Sequence, residues 1–221
     1  VEERPRRLPR FPRDELLEAQ AFDGVRAVLL DMDGTLVDSP YDWPAIRERL
    51  GVDHPSLIDG LNGLPEAERE ARWRELEAIE AGATAWATLV EGARELLELL
   101  RAAGLSLALV TNNSEANTRA LLERFGLDFD VVLTRDSGLY KPSSAPLLEA
   151  AHRLGVPPGR CAAVGDSRHD VAAAREAGCS PVILVRNPDP ELAARADLAF
   201  ADLRGLMRFV EITVGRDGEG G

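Results

Sequence analysis

Short apolar runs that stop abruptly at polar residues recur along the chain. They cover residues 25–30, 105–111, 129–134, 161–165 and 181–185, with a weaker sixth at 197–200. Runs of this length, rich in β-branched and aliphatic residues, predict buried strands. Between them the apolar spacing becomes helical. Residues 93–103 lay Leu96, Leu97, Leu99 and Leu100 along one stripe and stop at Gly104. The patterns at 115–125, 143–154 and 170–177 stop at Gly126, Gly155 and Gly178. A glycine just past the last periodic residue marks a helix C-terminus. Alternating strands and helices predict an α/β fold, a Rossmann-like doubly wound parallel sheet with helices on both faces.

Residues 40–91 break that rhythm. Helical patterns without strands occupy 43–50, 56–61 and 65–81, and the last puts Trp73, Leu76 and Ile79 on one face. This predicts a small α-helical cap inserted after the first strand, with the core formed by 24–39 and 92–214. Residues 1–23 read as an arm, Arg- and Pro-rich at its start, with a short helix at 13–20; residues 215–221 read as a flexible tail.

Composition narrows the class. Hydrophobic residues make up 45% of 221 positions, enough for a real core. No apolar run approaches the roughly 20 residues of a membrane helix. No secretory signal pattern is present, so the expected location is cytoplasmic. Acidic residues outnumber basic ones 38 to 26, a net charge of −12 that disfavours nucleic acid as a partner. Either a monomer or a homodimer is compatible with this composition. Cys161 and Cys179 fit no metal spacing and read as reduced core residues. Lysine occurs once, at Lys141, while every other basic position except histidine is Arg.

In open α/β sheets, ligands bind beyond the carboxyl ends of the strands. Asp31 and Asp33 follow the first strand, Thr111 and Asn112 end the second, and Asp166 and Asp170 follow the fourth. Lys141 opens the helix after the third. Four carboxylates, a hydroxyl and an ammonium thus converge on one edge. Crowded acids repel, and a divalent cation relieves the repulsion; an all-oxygen set favours Mg²⁺. A carboxylate can attack phosphorus, and a second carboxyl two residues on can protonate the leaving oxygen and later activate water. Gly34 permits the tight turn that brings backbone amides near a phosphate.

The segments DMDGTLVDS (31–39), VTNN (110–113), YKP (140–142) and GDSRHD (165–170) resemble, in order and spacing, the four motifs of the haloacid dehalogenase-like hydrolases. The resemblance spans residues 24–210 and points to the phosphoglycolate phosphatase/β-phosphoglucomutase-like branch, with a short helical type 1 cap. It implies that Asp31 is the nucleophile and Asp33 the general acid/base, with the Asp33 carbonyl on Mg²⁺. Thr111 and the Asn112 amide would hold the phosphoryl group, and Lys141 would balance its charge. Asp31, Asp166 and Asp170 would complete the metal site, Asp170 directly or through water. The implied activity is Mg²⁺-dependent hydrolysis of a small soluble phosphomonoester through an aspartyl-phosphate, with a sugar phosphomutase or a non-catalytic phosphate-binding module as alternatives. A family dehalogenase lacks the second acid, present here as Asp33. A family phosphonate hydrolase uses a lid lysine, and this lid has none. Asp38 and Ser39 read as hinge or cap residues, and Asn113 and Ser114 as caps of the helix at 115. Trp43, Trp73 and Trp86 read as packing residues, and His169 as a bystander.

Overall fold

The computed structural model describes residues 22–214; the expected tail and nearly all of the expected arm, including its short helix, lie outside them. The strands are β1 (Ala27–Leu30), β2 (Val37–Asp38), β3 (Thr88–Leu89), β4 (Ser106–Val110), β5 (Val131–Leu133), β6 (Cys161–Gly165), β7 (Val182–Val185) and β8 (Leu198–Phe200). Six form one parallel sheet in the order β5-β4-β1-β6-β7-β8. β1 lies at its centre, with Ala27 opposite both Ser106 of β4 and Cys161 of β6. The winding reverses at β1. That is the topological switch point, where open sheets of this type present a crevice.

Helices α1 (Trp43–Leu50), α2 (Leu57–Asn62) and α3 (Glu66–Trp86) precede the second sheet strand. They are followed by α4 (Ala93–Ala102), α5 (Glu115–Phe125), α6 (Ala145–Leu154), α7 (Arg168–Ala177), α8 (Pro190–Ala193) and α9 (Leu203–Val214). Alternate residues of each strand face opposite sides, so the sheet sorts its side chains into two cores. Val28, Leu30, Leu107, Leu109 and Val164 pack with Leu96 and Leu100 of α4, Leu121 of α5, and Leu206 and Val210 of α9. Ala27, Leu29, Val110, Ala163 and Leu184 pack with Leu147 of α6 and with Val171 and Ala174 of α7. Both cysteines are free and buried on this second face.

The insert has its own core of Ile46, Leu50, Val52, Leu61 and Leu76, with Trp73 and Ile79 packed against it. The face expected from Trp73, Leu76 and Ile79 is therefore the inward one. Asp42 caps α1 by accepting from Ala45 N, and Ser56 caps α2 by accepting from Asp59 N.

Several elements depart from the sequence-based expectation. α3 runs on to Trp86 rather than stopping at 81, because 82–86 contain no proline and only one glycine. The insert joins the core through an antiparallel two-strand ribbon, Val37 opposite Leu89 and Asp38 opposite Thr88, too short to leave a periodic pattern. α9 was not anticipated, although Leu203, Leu206 and Val210 repeat at helical spacing and are buried. Trp86, expected to pack, is 80% exposed at the end of α3.

Candidate active site

The carboxyl ends of β1, β4 and β6 bring the site together. Asp31 leaves β1, and its backbone N–H still bonds to the Val164 carbonyl, so the strand holds it rigidly. Lys141 approaches from the loop before α6 and is 4% exposed. Its Nζ donates to Asp31 Oδ1 at 2.5 Å, to Asp170 Oδ1 at 2.6 Å and to the Val110 carbonyl at 2.7 Å. All three protons of the ammonium are thereby used. A planar guanidinium does not match this three-way arrangement.

Asp170 occupies the third position of α7 and completes a capping box with Ser167. Its Oδ2 accepts from Ser167 N at 3.0 Å and Ser167 Oγ at 2.5 Å. Helix α7 therefore starts at Arg168, two residues before the expected start. Asp166 precedes it, and its carbonyl accepts from Asn187 Nδ2 at 2.6 Å. Carboxylate oxygens of Asp31, Asp166 and Asp170 lie within 4.8 Å of one another. Gly34, at φ +85°, turns the chain against this cluster; a Cβ built there would lie 2.2 Å from Asp166 Oδ2.

Burial pushes the Asp31 carboxyl well above the usual range; Lys141 opposes this, while the charges of Asp170 and Asp166 reinforce it. Burial and the neighbouring Asp170 push Asp166 up to about 7. Burial also acts on Asp170, but Lys141 and Ser167 outweigh it and hold this carboxyl below its ordinary value. Asp31 has only a 3.5 Å contact from Thr35 Oγ1 besides Lys141. Of the two acids sharing the ammonium, Asp170 is thus the better stabilised anion. Burial lowers Lys141, yet Asp170 and Asp31 raise it further than burial depresses it. The cluster repels itself, and every donor is a hard oxygen, a set that fits Mg²⁺ rather than zinc. Asp31 and Asp166 have oxygens to offer an ion, whereas both oxygens of Asp170 are already engaged by Lys141 and Ser167.

Asp33 bonds to a different set of side chains. Burial raises its pKa, against hydrogen bonds from Asn113 Nδ2 at 2.9 Å and Ser39 Oγ at 2.7 Å. Ser39 thus bonds to Asp33, while Asp38 pairs with Arg186 beside the ribbon. Ser114 caps α5, whereas the Asn113 side chain goes to Asp33 and to the Tyr41 hydroxyl instead of capping. Thr111 is buried at the end of β4, and its Oγ1 accepts from Asn113 N at 3.1 Å. The Asn112 side chain clasps the Lys141 backbone, accepting from its N–H at 2.8 Å and donating to its carbonyl at 2.7 Å. Within the insert, Arg47 bonds the carbonyls of His54 and Pro55, and Arg49 pairs with Glu75.

Sequence reasoning missed Arg186. Its backbone sits at φ +58°, a left-handed conformation uncommon for arginine. Its Nη1 donates to the Gly34 carbonyl at 2.6 Å, and its fork takes both oxygens of Asp38 at 2.8 and 2.9 Å. Arg186 and Asn187 therefore brace the two loops that carry Asp33 and Asp166. No spacing in the sequence marks them, because they act on backbone carbonyls from a fifth strand end.

Fold and site together define a Rossmann-like α/β hydrolase with an acidic centre anchored by one ammonium. Residues 25–178 match the haloacid dehalogenase-like hydrolase family, and the chain belongs to that family. A phosphoglycolate phosphatase of Chromobacterium violaceum is 35% identical over 215 residues, covering 83% of this chain and 97% of the relative. An uncharacterized hydrolase of Saccharomyces cerevisiae is 29% identical over 204 residues, covering 87% and 94%. The fold is similar to that of a crystallised hydrolase from Pseudomonas syringae, with a TM-score of 0.74 at 22% identity, covering 85% of this chain and 98% of that one. No described helix is long and apolar enough to cross a membrane.

Proposed function

We propose that the protein is a Mg²⁺-dependent phosphatase acting on a small phosphomonoester, phosphoglycolate- or sugar-phosphate-like, through an aspartyl-phosphate on Asp31. The observation that carries this reading is the Lys141 bridge, a fully engaged ammonium 2.5 Å from Asp31 at the switch point of the sheet. Phosphoglycolate is the first ester to test, because the Chromobacterium violaceum relative carries that activity in its name.

An Asp31 oxygen attacks phosphorus in line while the bond from phosphorus to the ester oxygen breaks. Asp33, kept protonated more readily by burial, gives its proton to the departing alkoxide. Thr111 and the Asn112 amide hold the phosphoryl oxygens, and Lys141 offsets charge shared between those oxygens and Asp31. Asp33 then takes a proton from water, the water oxygen attacks phosphorus, and the bond to Asp31 breaks. Mg²⁺, held by Asp31, Asp166 and the Asp33 carbonyl with Asp170 behind them, would neutralise phosphate charge when bound. Helices α1–α3 serve as the cap over this site.

The test is phosphate release from a panel of phosphomonoesters, with and without Mg²⁺, for the wild type and Asp31→Asn. Release that needs both the metal and Asp31 supports the reading. Turnover that survives Asp31→Asn sinks the covalent route.

A further inference from the structure

We propose that Arg135 and Glu80 act together as a positioning pair for Lys141, making placement of the ammonium depend on the docked helical insert. Arg135 lies in a short 3-10 turn (Arg135–Ser137) after β5, and Glu80 lies on α3 of the insert. Their side chains are 5% and 4% exposed. Arg135 Nη1 donates to Glu80 Oε1 at 2.6 Å and Nη2 to Oε2 at 2.7 Å. The same Nη1 also donates to the Asn112 carbonyl at 3.1 Å. Asn112 in turn clasps both backbone polar groups of Lys141, and Lys141 holds Asp31 and Asp170. Hydrogen bonds joined through the covalent frames of Asn112 and Lys141 thus link the insert to the ammonium. The Arg135 guanidinium carbon lies 5.2 Å from the centre of the Trp73 ring, which fixes its plane from the insert side as well.

The arrangement is poorly explained as a staple alone. A buried ion pair is weak evidence for stability, because desolvation cancels much of its attraction. What only an arginine fork provides is simultaneous contact with a carboxylate and a third acceptor in a fixed plane. That third acceptor is the carbonyl of the residue that clasps Lys141. Placing the far end of the pair on the insert means that an insert lifted from the core also releases Arg135.

The proposal rests on the phosphatase reading of Lys141, so its test carries a readout independent of turnover. Because lysine occurs once, uniform ¹⁵N-lysine labelling gives a single Nζ signal. In the wild type this signal should exchange slowly with water, since the ammonium is buried and fully bonded. The double variant Glu80→Met/Arg135→Met removes the pair without stranding a charge. The expected result is a folded protein whose kcat toward the best ester falls at least tenfold while KM changes less than threefold. Its lysine signal should shift and exchange faster. A folded double variant with wild-type kcat and an unchanged lysine signal overturns the proposal.

If the double variant does not fold, Arg135→Lys answers the question by kcat. It keeps a positive charge for Glu80 but replaces the planar fork, whose two nitrogens span both Glu80 oxygens and the Asn112 carbonyl, with one nitrogen on a shorter side chain, so the same loss is expected. Wild-type kcat in Arg135→Lys overturns the proposal. The surface pair variant Glu75→Gln should leave both readouts unchanged. Should the wild type hydrolyse no ester, the phosphatase reading fails, whereas the lysine signal still decides the positioning role.

Discussion

Substituting Gly34 by alanine separates a backbone effect from a metal-site effect, because Gly92 offers a matched control. Both glycines sit at φ +85°. A side chain in this region costs about 1–2 kcal/mol at either site. The space around them differs. At Gly92 the nearest atom to an added Cβ is Met207 Sδ at 3.5 Å, an ordinary contact. At Gly34 it is Asp166 Oδ2 at 2.2 Å, so the carboxylate must retreat by about 1 Å to restore a normal contact. A displacement of that size at a reacting centre costs about 10²-fold in rate. Displaced metal-site groups commonly weaken binding by about 10- to 100-fold. Gly92→Ala should therefore lose a few degrees of Tm and keep its Mg²⁺ dependence. Gly34→Ala should lose a similar Tm while kcat/KM falls about 100-fold and half-saturating Mg²⁺ rises at least tenfold. The assay is phosphate release titrated with Mg²⁺, beside a thermal melt of each variant. Equal Mg²⁺ half-saturation in the two variants would refute the placement of Asp166 at the metal.

Mg²⁺ should raise Tm more at pH 8 than at pH 6. Asp166 is pushed up to about 7 when folded without metal, against about 3.9 unfolded, so the folded state binds the proton more tightly. Metal-free stability from this group therefore grows as pH falls through 7, and protons then compete with the ion; an increment independent of pH would contradict this. Asp130 shows the opposite sign. A bond from Leu107 N–H at 2.7 Å and the nearby Arg101 hold its carboxyl below the ordinary value. Asp130→Asn should cost about 0.5 kcal/mol at pH 7, discounted because the side chain is 42% exposed. Urea melts should show the gap closing as pH falls below about 3.9 and through the folded pKa. Arg186→Gly relieves a left-handed backbone but frees the Gly34 carbonyl, so a melt should show little change while kcat falls about tenfold; full activity would remove Arg186 from the site.

The positions of the candidate side chains at strand ends were legible in the sequence. Asp31, Thr111, Lys141, Asp166 and Asp170 each stand just beyond an apolar run or in a motif, and all of them gather at one crevice. The sheet was legible for the same reason, since every buried strand is a run of apolar residues with a polar stop. What stayed hidden works across long stretches of sequence, on a backbone carbonyl or through a buried ion pair. Arg186 holds the Gly34 carbonyl from 152 residues away, and Arg135 and Glu80 meet across 55. An arginine or glutamate in a chain rich in both carries no local mark of such a partner. The Asn113 side chain was misread as a cap because its neighbour Ser114 does the capping, and only the fold brings Asp33 within its reach. α9 was different: its periodicity was present and simply lay beyond the last motif.

The central position of β1 sets how this protein must come into being. Its flanking strands, β4 and β6, lie about 80 and 134 residues further along, as the pairings of Ala27 with Ser106 and Cys161 require. A nascent chain therefore exposes the apolar segment Ala27–Leu30 on both edges until β4 has been made, and on one edge until β6 follows. Such non-local pairing is slow, and unpaired strand edges invite aggregation. Fragments ending before Cys161 have one side of β1 open and lack Asp166 and Asp170, so partial synthesis or proteolysis should yield insoluble chains rather than weakly active ones. Solubility of C-terminal truncations would then rise in one step, once the strand Cys161–Gly165 and the helix that follows it are included, and activity would appear at no earlier point.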